Sequence, residues 1–170
     1  MDGATMKAKR IAVYGMLIAL AFILSYIESM IPIPIPIPGV KIGLANLVVL
    51  AGLYTMGAKE AFVLSMIRII LVGFTFGNLS TMMFSFAGGI LSWILMASFC
   101  KSKKFSISGV SIIGGVSHNV GQILAAMWVV DSSALLYYLP FLLVSGAAMG
   151  IIIGLVGSIL IKRIKNAHIE

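Results

Sequence analysis

The sequence holds one cysteine, Cys100, and only five acidic side chains in 170 residues: Asp2, Glu28, Glu60, Asp131 and Glu170. A single thiol excludes an internal disulfide and any metal site built from several cysteines. The scattered acids leave no pair within one span for a proton relay or a metal. Nor do they supply the clustered aspartates that hold magnesium against a diphosphate. There is no glycine-rich loop ending in Gly-Lys-Ser or Gly-Lys-Thr, so the chain is not expected to hydrolyse ATP. Charged residues make up 10% of the chain, against about a quarter in a soluble domain. So little polar surface makes the bilayer its solvent. No cofactor, no metal and no catalytic residue is expected.

What the chain has instead is apolar length. It is 61% hydrophobic, with a mean hydropathy of +1.14. At roughly 20 residues per transmembrane helix, 170 residues suit about six spans with short loops. The expected fold is an all-α integral membrane protein forming a single six-helix domain over 1–170. Its helices are expected at about 9–30, 43–56, 58–73, 79–100, 108–130 and 135–163. Ser108 is the expected N-cap of the fifth helix, and Pro140 should break the first turns of the sixth. The first apolar run has no small-x-small cleavage site and reads as a retained helix.

The net charge of +7 does not point to nucleic acid, because the basic residues form no face. They sit in short clusters between apolar runs. With six spans, every Lys and Arg except Lys41 and Arg68 falls on one side, which makes both termini cytoplasmic. A five-span arrangement without the short second segment divides the clusters between the two sides and is rejected.

Between the first two helices runs Ile31-Pro-Ile-Pro-Ile-Pro-Ile-Pro-Gly39. Pro32, Pro34, Pro36 and Pro38 forbid a helix and push their neighbours to extended geometry. The result is a stiff apolar strap, either a lid over a pocket or a connector lying along the bilayer interface. Polar residues collect near the same side of the membrane: Glu28, Lys41, Asn46, Arg68, Asn78, His118, Asn119 and Gln122. His118 and Gln122 are four apart and share a helix face, and Ser111 and Gly115 are read as continuing it. Arg68, among apolar neighbours, costs several kcal/mol unless it meets a partner or water. The plainer alternatives are an interhelical hydrogen bond for His118 and a buried pair with Glu28 or Asp131 for Arg68. Trp93, Trp128, Tyr137 and Tyr138 read as packing or interface aromatics. Early in the first helix Ala8, Ala12, Gly15 and Ala19 form a small-residue stripe, suited to close approach by another helix. That helix belongs to a partner or to the same chain.

Pro38-Gly-Val-Lys-Ile-Gly-Leu-Ala-Asn46, Arg68, Ala87-Gly-Gly89 and Ser117-His-Asn-Val-Gly-Gln122 together resemble the Gx transporter family, also labelled heptaprenyl diphosphate synthase component I. The resemblance covers about 9–163. The layout is also similar to the substrate-binding S components of energy-coupling factor (ECF) importers. That resemblance implies a vitamin or similar micronutrient bound in the outer half, under the strap acting as lid. It also implies that the small-residue stripe docks onto a transmembrane coupling subunit, with ATPase subunits beyond it.

The leading expectation is therefore a non-enzymatic substrate-capture subunit in the cytoplasmic membrane. Lys41 and Arg68 imply a ligand with an anionic group, and His118, Asn119 and Gln122 would supply directional hydrogen bonds. The alternative is an accessory membrane subunit in polyprenyl diphosphate or quinone synthesis, presenting a lipidic substrate to a soluble enzyme. A third reading is a purely structural membrane protein without a ligand.

Overall fold

A computed structural model describes residues 3–31, 43–102 and 104–169. The strap residues Pro32, Pro34, Pro36, Pro38 and Gly39, together with Lys41, lie outside the described residues. Among those described, the chain is helical throughout and has no strand. The helices are α1 (Gly3–Met30), α2 (Asn46–Thr55), α3 (Ala58–Thr75), α4 (Leu79–Phe99), α5 (Ile107–Val130) and α6 (Leu139–Ile169), with a 3-10 turn at Ser133–Tyr138 before α6.

Local chemistry sets the boundaries. Gly57, at φ +119°, takes a backbone conformation closed to most side chains and turns α2 into α3. Asn78 opens α4 with a capping box: its Oδ1 accepts from Thr81 N at 2.9 Å, and Asn78 N donates to Thr81 Oγ1 at 2.8 Å. Ser106, not Ser108, caps α5, accepting from Gly109 N at 3.1 Å. Ser108 lies inside that helix against Gly154. Asp131, in the left-handed region at φ 52°, ends α5. Pro140 sits in the first turn of α6, where its missing N–H leaves no bond unmade. The expected break thus becomes a 3-10 turn followed by a clean helix start.

The ten-residue α2 is the hub. Eight of its residues are buried, and it touches each of the other five α-helices. This explains a segment that is apolar on every side. Around it α1, α3, α4, α5 and α6 pack in that order, and α1 and α6 do not touch among the described residues. In α3 the buried positions Ala61, Leu64, Ser65, Arg68, Ile69 and Val72 follow the helical period and face inward.

Contact between α4, α5 and α6 is backbone to backbone. A Cβ on Gly121 would lie 2.7 Å from Ala87 O and 2.8 Å from Gly88 Cα, and one on Gly150 would lie 2.6 Å from Ile112 Cα. Such small-residue seams pack helices in a solvent that offers little hydrophobic drive between them. Polar ties add to the seams: Ser92 Oγ donates to Gly114 O at 2.9 Å, and Trp93 Nε1 to Ala58 O at 2.8 Å.

Large apolar side chains cover the outside of α1, α4 and α6. Trp128 and Tyr137, 78% and 88% exposed, stand near the C-terminal end of α5, as interfacial aromatics do. Among the described residues four helical stretches are long and apolar enough to cross a bilayer: Ile11–Met30, Leu79–Phe99, Ile107–Val130 and Ser133–Asn166. The chain is a multi-pass membrane protein. By itself α2 is about 15 Å long, half the hydrocarbon thickness of about 30 Å.

The glycine seams give a paired prediction. Gly121→Ala must push two backbones apart and should cost about 1–3 kcal/mol. Gly15→Ala meets nothing within 4 Å and should be neutral or stabilise by up to about 1 kcal/mol. Thermal unfolding of the two variants in detergent, side by side with the parent, checks both.

Candidate functional site

The chemistry converges where α1 ends and α2 begins. Ser25 and Glu28 are three residues apart on one face of α1, and both are buried. The Glu28 carboxylate accepts from Gly43 N, and Leu44 N lies 3.3 Å from the same oxygen. Gly43 has φ +92°, which a side chain would strain. The turn continues through Asn46 N to Gly43 O at 2.9 Å and Leu47 N to Leu44 O at 3.1 Å, and so winds into α2. A carboxylate at this helix start also suits the positive end of the dipole. The main chain of Glu28 holds the other side of the strap, where Ile31 N donates to Glu28 O at 3.2 Å.

Arg68 comes to this point from α3. It is 7% exposed and lies within electrostatic reach of Glu28. Among the described residues its Nε and Nη2 have no hydrogen-bond partner. His118 of α5 and Thr81, Met82 and Ser85 of α4 complete the walls, with Ile69, Val72 and Gly73 as the apolar side. The enclosed space is about 10 Å³, room for about one water. Met82 fills what would otherwise be a larger chamber, its side chain packed directly against Gly73.

Of the residues singled out from the sequence, Glu28, Arg68 and His118 line this cavity. Asn46 borders it, buried at the head of α2 with its amide beside Gly43. The pairing expected for Arg68 is with Glu28; Asp131 is exposed at the end of α5. Three expectations are corrected. Asn78 is exposed and spends its side chain capping α4. Asn119 points to α6, donating from Nδ2 to Leu142 O at 2.7 Å. Gln122 shares the His118 face, as its spacing requires, but packs one turn further along against Gly88. Gly115 lies against Gly146 of α6, and the Ser111 carbonyl lies near Gly150 of α6; Ser111, seven residues before His118, stays within about 20° of its face. The stripe residues Ala8, Ala12, Gly15 and Ala19 are all exposed, so among the described residues no helix of the same chain covers them.

Ser25, Thr81 and Ser85 were not anticipated. Their signal was faint: Ser25 is one turn before Glu28, and Thr81 and Ser85 are four apart in a helix that continues with Gly88, Gly89 and Ser92. Among the described residues no three His, Cys, Asp or Glu side chains converge as metal ligands.

A multi-pass helical membrane protein with a small, charged cavity toward one end of its bundle is thus defined. The chain belongs to the heptaprenyl diphosphate synthase component I family, also called the Gx transporter family. The family model matches residues 17–160, a range that includes both the strap and the cavity. No curated protein and no solved structure matches the chain.

Glu28→Ala removes the acceptor for two buried N–H groups, each bond to a charged group being worth about 1.5–3 kcal/mol. The variant should melt lower, and the amides of Gly43 and Leu44 should exchange with solvent faster while those of α5 stay protected. Hydrogen exchange read by mass spectrometry tests this.

Proposed function

We propose that this protein is the substrate-binding membrane subunit of an ECF-type importer and takes up a small anionic or amphiphilic micronutrient. The observation that carries the reading is the convergence of Glu28, Arg68 and His118 in one buried cavity between the two ends of the proline strap. Buried ionisable groups in a membrane bundle are expensive and mark ligand or ion sites. In this arrangement α2 and α3 complete six crossings, and both termini face the cytoplasm with the basic clusters. The cavity then opens outward, and the strap closes over it. Lys41, two residues before Gly43 in the sequence, would add a second positive charge. Binding of a ligand larger than a water would require Met82 to move away from Gly73. Hydrolysis of ATP belongs to partner subunits.

The exposed small-residue stripe supports the partner assignment. Ala8, Ala12, Gly15 and Ala19 leave one flank of α1 bare, shaped for close backbone approach by another membrane helix.

A second reading is supported by the family's description as component I of heptaprenyl diphosphate synthase. Here the chain is an accessory membrane subunit that presents an isoprenoid substrate to a soluble synthase. Identity of the co-purifying proteins separates the two: a coupling subunit with ATPases, or a prenyltransferase.

Ala12→Trp and Gly15→Trp should abolish co-purification of the coupling and ATPase subunits, and the melting temperature should stay within the shift of an ordinary surface substitution, about 0.5 kcal/mol. Quantitative mass spectrometry of affinity-purified membranes reads the result. Unchanged recovery of those subunits would remove the docking role, and enrichment of a soluble synthase would favour the second reading.

A further inference from the structure

We propose that the group recognised at the base of the cavity is a carboxylate, held side-on by Nε and Nη2 of Arg68. The inference rests on the capture reading and adds the chemical class of the ligand.

The two unpartnered nitrogens are not an arbitrary pair. In a guanidinium, Nη2 is on the same side as the Nε hydrogen, so Nε–H and one Nη2–H point the same way. They form one straight edge with two parallel donors. In this protein both donors of that edge lack a partner, although the residue is 93% buried by its 7% exposure and faces the cavity. An unsatisfied buried donor on a charged group is costly. One planar anion with two oxygens satisfies both at once, in the bidentate geometry that Arg offers and Lys cannot.

The surroundings choose among such anions. Glu28 already places a negative charge within reach of Arg68, and its carboxylate is tied to Gly43 and Leu44. A singly charged carboxylate adds one further negative charge beside Arg68. A phosphomonoester brings roughly −1.5 to −2, an excess that a buried site tolerates poorly. The hydroxyl of Thr81 does not help to hold a larger oxyanion, since it donates to Asn78 O at 2.8 Å inside the capping box. The opposite wall, Ile69 and Val72 with Met82, is apolar. Met82 is unbranched and adapts its shape easily. The ligand is therefore an acid with its carboxylate on Arg68 and an apolar body against Met82.

The sequence makes the test direct, because Arg10, Arg68 and Arg163 are its only arginines. Protein labelled with nitrogen-15 arginine gives three Nε–H signals, and Arg68→Lys identifies one. Benzoate should move the Arg68 signal alone; benzamide should not, and phenyl phosphate should bind at least tenfold more weakly than benzoate. Small molecules released from unlabelled wild-type protein, purified gently from its own membranes, should include one that forms a methyl ester. Its recovery should fall at least tenfold in Arg68→Lys. Phenyl phosphate binding more tightly than benzoate overturns the carboxylate, as does a retained molecule with no esterifiable acid and an unmoved Arg68 signal. A retained neutral ligand leaves the capture reading standing, whereas the absence of both a retained molecule and any probe shift overturns the two together. The wild-type spectra and extracts keep their meaning even where Arg68→Lys folds poorly.

Discussion

One carboxylate holds the architecture in place. Glu28 ends α1, accepts from the backbone that starts α2, and lies within reach of the buried charge of α3. Because α2 touches every other α-helix, fixing its first turn fixes the hub relative to α1. The helix α1 has little else to hold it, since it packs only on α2 and α3 among the described residues. In a membrane, where apolar faces gain little by leaving lipid for protein, a buried ionic and hydrogen-bonded tie of this kind carries register that hydrophobic burial carries in water. The same tie also borders the cavity: the carboxylate that positions α2 is the one within electrostatic reach of Arg68.

The bundle has two mechanical halves. The helices α4, α5 and α6 meet through glycines at backbone distance, as at Gly121 against Ala87 and Gly150 against Ile112. Close-packed interfaces of this sort have few alternative arrangements. The cavity lies between that half and α1–α3, and His118 is presented by the glycine-packed side. Arg68 and Glu28 come from the other. The two halves thus present their chemistry to each other across one cavity, His118 from one side and the buried charges from the other.

Much of this was legible from residue order. Alternating prolines ruled out a helix, and apolar runs of bilayer length gave the long helices. That Arg68 needs a partner followed from the cost of a lone buried charge, but residue order left Glu28 and Asp131 both open, and only the fold brings Glu28 within reach. Other features depend on quantities that spacing alone does not encode. Ser106 and Ser108 are chemically equal caps, and only the true first turn chooses between them. Asn119 follows His118 by about 100° around the helix, enough to turn its amide to Leu142 of α6 while His118 faces the cavity. Asn78 looked like a ligand group because it is polar and near the right end; a capping box with Thr81 accounts for it. Ser25 and Ser85 gave no warning, since isolated hydroxyls are common in membrane helices, where the preceding turn's carbonyls often satisfy them.

Both ends of the strap meet at a single residue. Ile31 N donates to the Glu28 carbonyl and Gly43 N to its carboxylate, so the two described residues that flank 32–42 are both fixed to Glu28. Lengthening a loop whose ends are fixed is cheap: even doubling it costs only about 0.6 kcal/mol in closure entropy. The number of residues between those two anchors can thus change at little cost to the frame of the cavity. Variation in that stretch of sequence and variation in the cavity lining are separable, and each can drift without the other.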